Sequence, residues 1–282
     1  MRYKIKKISL QILCFFILGL FTIFFIYPVL IVLLNSFKSK FQILENPFTF
    51  PGLNSFVGFE NYINGIRVTN FLYSFITSVF ITLFSTIFIV VLSSMFAWYV
   101  LRVKNKITKV LYYLIIFSMI VPFQMVMYTV TYLADKLYLN NPFGIIILYI
   151  GFGCGLSVFT YTGYLKTLPI EIEESATIDG ASPITMFMNI VFPLLKPITV
   201  TVSILNAMWI WNDYLLPYLV LGTGRFKTIP VAIQQAMKGL YGDVDWGSFM
   251  AMLVLTIIPI VIFYFFTQKY MIKGLTEGSV KG

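Results

Sequence analysis

LPIEIEESATIDGASPITMFMNIVFPLLKP, residues Leu168 to Pro197, lies between two long apolar runs. It carries Glu171, Glu173, Glu174 and Asp179, four of the eleven acidic residues in a chain of net charge +9. Its local signals are those of two short helices. Thr167-Leu168-Pro169 offers a Thr cap and a first-turn proline, and the glutamates that follow suit the positive end of a helix dipole. Ile170, Ala176, Thr177 and Ile178 form a modest apolar side, and Gly180 is a natural helix end. Ser182-Pro183 repeats the cap-plus-proline start. Phe187, Ile190 and Val191 then recur at helical spacing, Pro193 stops the segment, and Pro197 opens the next run. The stretch is therefore expected to be a helix–turn–helix elbow. The alternative is an ordinary solvated loop with an acidic face, against which stands its length, since connections normally need only about 4–6 residues.

Composition places the elbow beside a membrane. The chain has 282 residues, 59% hydrophobic and 11% charged, against roughly 25% charged in ordinary globular chains. Apolar runs cover about 8–34, 71–101, 110–133, 143–165, 197–221 and 249–268. Each reaches the roughly 20 residues needed to cross a hydrocarbon core of about 30 Å. The fold class expected is an all-α integral membrane protein with six transmembrane helices. Residues 1–7 are its N-terminus, 166–196 the elbow within a membrane domain over 8–268, and 269–282 a polar, glycine-rich tail. The first run follows Arg2, Lys4, Lys6 and Lys7, as a signal peptide would, but it is too long for one and lacks a small-residue cleavage site.

With the N-terminus inside, the inner segments hold thirteen of the twenty basic residues and the outer ones seven. The positive-inside rule then puts both termini and the elbow in the cytoplasm. Arg102, Lys104, Lys106 and Lys109 crowd one inner turn, with no basic arm or base-stacking motif, so the charge points to membrane and not to nucleic acid.

Several chemistries are excluded or disfavoured. The chain has no histidine, which removes Ser-His-Asp triads and the commonest zinc sites. Cys14 and Cys154 lie far apart in apolar runs and read as small buried hydrophobes. Residues 222–230, GTGRFKTIP, fall short of a phosphate loop because Phe226 precedes Lys227 where glycine is required. No internal repeat is evident, which disfavours a transporter built from repeats.

In the fifth run, Asp213 is the one acid expected inside a span. Such a carboxylate normally faces a bundle interior or a water-filled cavity. Trp209, Asn212 and Asp213 fall at i, i+3 and i+4, with Tyr214 adjoining, so aromatic faces sit beside amide and carboxylate groups. Such a group suits stacking and hydrogen bonding to a sugar along a pathway. It equally suits a structural polar clamp between helices.

The elbow resembles the EAA loop of the membrane subunits of binding-protein-dependent ABC importers. In that family's pattern E-A-A is followed, after three residues, by G, and after nine more by I, one residue, then L-P. Here Glu174-Ser175-Ala176, Gly180, Ile190 and Phe192-Pro193 keep the spacing, with Ser175 and Phe192 as the departures. IDGAS, WIWNDYLLP (Trp209–Pro217) and QKYMIKGLTEGSVKG (Gln268–Gly282) resemble the carbohydrate permeases of this class, of the maltose-transporter inner-permease type. The resemblance implies a type I importer permease in the plasma membrane, paired with a second homologous permease, two cytoplasmic ATPase subunits and an extracellular sugar-binding protein. It implies that ATP and Mg stay on the ATPases, with no cofactor, metal or catalysis on this chain. It assigns Glu171, Glu174, Ser175, Ala176, Asp179, Gly180, Ala181, Ile190 and Pro193 to a coupling loop seated in an ATPase cleft. Within it, Glu174 and Asp179 would dock, and Ala176, Gly180 and Ala181 would allow close approach. It places the segment Met237–Asp245, with Met237, Lys238, Gly239 and Tyr241, near the binding protein. Val57-Gly58-Phe59-Glu60-Asn61-Tyr62 also resembles a recurring permease element. Two rivals remain: a permease for another solute class, and an ion-coupled transporter using Asp213 as a relay.

Overall fold

The computed structural model describes residues 2–222, 224–237 and 244–279, with side chains over 11–222, 224–235 and 244–269. Among the described residues the regular structure is helical, with one isolated bridge between Lys38 and Phe56. In chain order the helices are α1 (Arg2–Asn35), α2 (Lys40–Glu45), α3 (Glu60–Thr69), α4 (Phe71–Arg102), α5 (Lys106–Ile120), α6 (Phe123–Lys136) and α7 (Pro142–Leu165). The second half continues with α8 (Glu171–Ile178), α9 (Pro183–Met186), a π-helical turn Phe187–Val191, α10 (Phe192–Leu194), α11 (Lys196–Asn212), α12 (Leu215–Val220), α13 (Ile229–Met237) and α14 (Trp246–Ser279).

Four of these contain a stretch long and apolar enough to cross a membrane: Gln11–Asn35, Phe71–Arg102, Pro142–Leu165 and Trp246–Lys269. Two bent pairs, Lys106–Ile120 with Phe123–Lys136 and Pro183–Leu194 with Lys196–Asn212, bring the number to six if each pair is one span.

Two runs differ from the sequence expectation. The run over 110–133 is α5 and α6, bent by 107°. Pro122 is the cause: it forces Val121 into extended backbone (φ −79°, ψ 112°) and so ends α5. The run over 197–221 breaks at Asp213, which is extended at ψ 125°. Pro217 lies four residues on. It lacks the N–H that would bond the Asp213 carbonyl, and its ring crowds that carbonyl, which favours the break here, whereas α1 and α14 carry Pro28 and Pro259 without one. The last run ends where expected, its apolar stretch closing at Lys269, but the helix that carries it goes on to Ser279, over residues expected as a tail.

The chain divides into two compact units, residues 1–71 with 233–259, and 72–232 with 260–282. In the first, the segment after α1 is tied by side chains. Asn61 Nδ2 donates to the Ser36 and Lys38 carbonyls, both at 2.9 Å. Ser36 Oγ and Tyr62 OH pair at 2.7 Å. Lys38 Nζ donates to the Asn46 carbonyl at 2.9 Å, and burial pushes this ammonium below its ordinary pKa. Asn61 and Tyr62 of the recurring element are thus spent on this knot. Gly247 packs against the Asn61 side chain so closely that a Cβ there would clash.

The second unit is built on close helix approach. α4 buries Ser74, Ser78, Ser85, Ser93 and Ser94, small residues that let backbones come together. Gly153 of α7 sits where a Cβ would come within 2.8 Å of Asn206 Oδ1, and Gly155 where it would meet the Ile115 carbonyl at 3.0 Å. These glycines admit α11 and α5 respectively. Asn206 Nδ2 then donates to Ser157 Oγ at 3.0 Å, a polar tie between α11 and α7.

Candidate functional site

The elbow forms, with different start chemistry from that expected. Thr167 does not cap it: its hydroxyl donates back to the Tyr164 carbonyl, and α8 begins at Glu171. The end is as the glycine suggests. Gly180 has φ +81°, the Ala181 N–H bonds the Ala176 carbonyl and the Gly180 N–H bonds the Thr177 carbonyl. That pair of bonds closes the helix with a left-handed residue, a conformation natural to glycine. Ser182 Oγ accepts from the Thr185 N–H and caps α9. The following turn is π-helical, so Phe187 and Val191 both turn inward and are buried, while Ile190 is half-buried beside them. Pro193 lies inside α10, and the reversal comes at Leu195, where the axis swings by 79° into α11.

The acidic residues divide in two. Glu173 points into the protein, 8% exposed. It accepts a two-pronged pair of bonds from Arg102, Nη2 at 2.6 Å to Oε1 and Nε at 2.9 Å to Oε2, and a third from Trp98 Nε1 at 2.9 Å. A planar guanidinium facing a carboxylate in this way is geometrically specific and strong. Ala176, one turn on, is buried among Val158, Leu165 and Phe187. Trp98 also packs on Phe187, ring centres 5.6 Å apart. The elbow is thereby fastened to the end of α4 by charge and by packing.

Glu171, Glu174, Ser175, Asp179 and Gly180 face outward, as does Pro193. Beside them Ile178 is 86% exposed and Ile184 74%. The outer surface is therefore acidic and apolar together. Two expectations change. Ala176 is small because it fits the internal core, so it offers nothing to an outside surface. Ile178, grouped with Ala176 on one modest apolar side, does not share its burial and is on the outer surface. Ala181 is half-buried behind the turn. The missed residue is Glu173. Its sequence signal was weak: Arg102 at the end of one span and Glu173 at i+3 from the small Ala176.

The second cluster is at the break in the fifth run. Asp213 leaves the helix, so it does not share a face with Trp209 and Asn212 at helical spacing. Its Oδ2 accepts from the fully buried Tyr149 hydroxyl at 3.0 Å, and its Oδ1 accepts from the Leu215 N–H at 3.0 Å. Trp209 stands edge-on to Tyr149 at 5.5 Å. Asn212 turns back to the Met208 carbonyl, and Tyr214 stacks on Tyr218. The carboxylate thus caps the broken helix and ties it to α7.

Of the binding-protein segment, Lys238, Gly239 and Tyr241 lie outside the described residues, and Met237 is described only as the end of α13. Among the described residues, no three His, Cys, Asp or Glu side chains gather in a metal-binding group.

Residues 89–277, two-thirds of the chain and including the whole elbow, match the model of the family described as binding-protein-dependent transport system inner membrane component. The chain belongs to that inner membrane component family. It is similar to the probable starch degradation products transport system permease protein AmyC of Thermoanaerobacterium thermosulfurigenes, 36% identical over 98% of this chain and 99% of that one. It is also similar to the multiple sugar-binding transport system permease protein MsmG of Streptococcus mutans, 33% identical over 92% of this chain and 93% of that one. A chain in the crystal structure of a bacterial ABC transporter involved in the import of the acidic polysaccharide alginate has the same fold. The TM-score is 0.77 at 21% identity, covering 92% of this chain and 95% of that one. An inner membrane component of this family is a multi-pass protein of the plasma membrane, and the four to six apolar helices agree with that placement.

Proposed function

We propose that this family member is the sugar-translocating permease subunit of an ATP-driven importer. The single observation that carries the reading is the elbow: a helix–turn–helix fastened inward by Glu173 to Arg102, with an acidic and apolar outer surface of Glu171, Glu174, Asp179, Ile178 and Ile184. Such a surface fits a cleft on an ATPase subunit, and the rigid inward fastening suits the transfer of movement from that cleft to α4 and α11. ATP and Mg belong to the ATPase, and this chain contributes no catalytic group or cofactor. Both termini and the elbow are cytoplasmic, in line with the distribution of Lys and Arg.

The solute class follows from the relatives, which carry starch degradation products and multiple sugars by their names. A di- or oligosaccharide fits that company. A second, homologous permease completes the pathway. α1, of whose best apolar window none is buried within the chain, is free to face lipid or that second subunit. A sugar-binding protein delivers the cargo on the outside, with the segment around Met237, Lys238, Gly239 and Tyr241 as its contact. Asp213 reads as a clamp in preference to an ion relay, a reading supported by the bonds that both its oxygens accept at the helix break.

The test is reconstitution with the ATPase, the second permease and the binding protein. Sugar uptake should require ATP and survive an ionophore that collapses ion gradients. Uptake that continues without an ATPase and stops with the ionophore would overturn the reading. Glu174→Lys should lower co-purification of the ATPase by tenfold or more.

A further inference from the structure

The turn that joins α4 to α5 holds a second charged feature, which the coupling role does not use. With the end of α7 it lines an open hollow of about 540 Å³. Lys104, Lys106, Lys109 and Lys166 line it, and no carboxylate does. All four lysines are exposed, and among the described residues none of them forms an ion pair. The neighbouring Arg102 cannot serve as a fifth cation, because Glu173 holds it.

The frame that carries the lysines is fixed. Asn105 Oδ1 accepts from the Thr108 N–H at 2.8 Å, and Thr108 Oγ1 accepts in return from the Asn105 N–H at 3.2 Å. The same hydroxyl donates to the Val103 carbonyl at 2.6 Å. Lys104 and Lys106 thus flank a closed capping box and do not sit on a loose loop. The walls are of another character: Val100, Leu101 and Tyr112 supply apolar surface between the helices. The cavity also lies at the ends of α4 and α7, two helices of membrane-spanning length.

Four like charges around one space repel one another, and a bound anion removes that cost. A phosphate group fits the lysines as a compact anion. The apolar walls favour a phosphate that carries glycerol and acyl chains over a free one, since only the lipid has something to lay against Val100, Leu101 and Tyr112. Basic pockets between membrane helices on the cytoplasmic side are suited to anionic headgroups.

We propose that this cavity binds the phosphate headgroup of an anionic phospholipid of the surrounding leaflet. The bound lipid would hold the α4–α5 turn at the membrane surface, next to the Arg102 that fastens the elbow. The placement at the cytoplasmic surface rests on the orientation proposed above. The binding itself needs neither ATPase nor sugar, so it can fail while the transport reading stands, and the reverse.

The test uses the full-length chain in detergent micelles, titrated with phosphatidylglycerol, phosphatidylcholine or inorganic phosphate and followed by native mass spectrometry. Phosphatidylglycerol should bind at least fivefold more tightly than phosphatidylcholine. Each removed lysine should weaken it about fivefold, so Lys104→Gln with Lys109→Gln and Lys166→Gln should abolish the preference. Lys196→Gln, a basic change outside the cavity, should leave it intact, and arginine at the same three positions should restore it. Three results would overturn the proposal. One is equal retention of the two lipids. Another is full displacement of phosphatidylglycerol by equimolar inorganic phosphate, which would make this a free-phosphate site. The third is loss of ATPase association in the glutamine variant with no lipid preference in the parent, which would make it a protein contact.

Discussion

Glu173 and Asp213 are both carboxylates drawn into the same unit of the protein, yet their partners differ in kind. Glu173 meets a full positive charge, Arg102, and an indole N–H. Asp213 meets neutral donors, the Tyr149 hydroxyl and one backbone N–H. The first joins two separate elements, the end of α4 and the elbow. The second repairs a local fault, the helix break that Pro217 favours, and ties it to α7. An acid inside such a protein is therefore not by itself a sign of a transport site. The partner it chooses shows whether it fastens two elements or caps one.

The contrast is open to direct tests, beginning with the largest effect. Arg102→Ala leaves Glu173 without its charge partner in a poorly hydrated place, and breaking a buried pair in this way costs about 3–5 kcal/mol. Part of that loss is relieved by water at the half-exposed Arg102, so the lower end is expected. A thermal unfolding series in detergent should show a marked fall in Tm. The charge-free pair Arg102→Met with Glu173→Met should recover much of it. An equal fall in both variants would mean that the ion pair is not the fastening.

Gly180→Ala comes next. It forces a Cβ into the left-handed region at φ +81° and should cost about 1–2 kcal/mol. Because the strain sits at the turn, the sharper readout is coupling, measured as ATP hydrolysed per sugar taken up. An unchanged ratio with lowered Tm would confine Gly180 to folding.

Tyr149→Phe removes one hydrogen bond to Asp213 and should cost about 1 kcal/mol. Asp213→Asn keeps an amide oxygen for the Leu215 N–H and sets an NH2 opposite Tyr149, whose hydroxyl can turn to accept from it, so the change should be milder in stability. If Asp213→Asn instead abolishes uptake while Tm stays level, the carboxylate contacts cargo and the clamp is not its main role.

The smallest change in stability is expected for Ile178→Ser, since the side chain is 86% exposed and supports no core contact. Tm should move by less than about 0.5 kcal/mol equivalent. Association with the ATPase, read by pull-down, should nonetheless weaken several-fold. Intact association would show that the outer apolar residues of the elbow are not the docking surface.

Legibility from sequence was uneven for physical reasons. Spaced residues with a local consequence were readable: Gly180 as the helix end, Ser182-Pro183 as a start, Phe187 and Val191 as an inner face. Prolines were the exception within runs. Pro122 and Pro217 each cut an apolar stretch that hydropathy alone reads as one span, because hydropathy averages over the N–H that proline lacks. The inward or outward sense of α8 was half readable. Glu173 and Ala176 are three apart and share the buried side, but nothing in the order of Glu171, Glu173 and Glu174 says which acid has a cation waiting.

The sequence by itself determined the class of protein, the helical membrane runs, the elbow and the family spacing that goes with it. These follow from composition, from period and from turn chemistry, all of which act over a few residues. Only the tertiary structure decided which carboxylates are spent internally, that Ala176 serves the core and Ile178 the surface, and that Asp213 finds Tyr149 on α7. It also gathered Lys166 of the α7 end with the lysines of the α4–α5 turn around one cavity. Those are contacts between residues far apart in the chain, and no local rule carries information about them until the helices have packed.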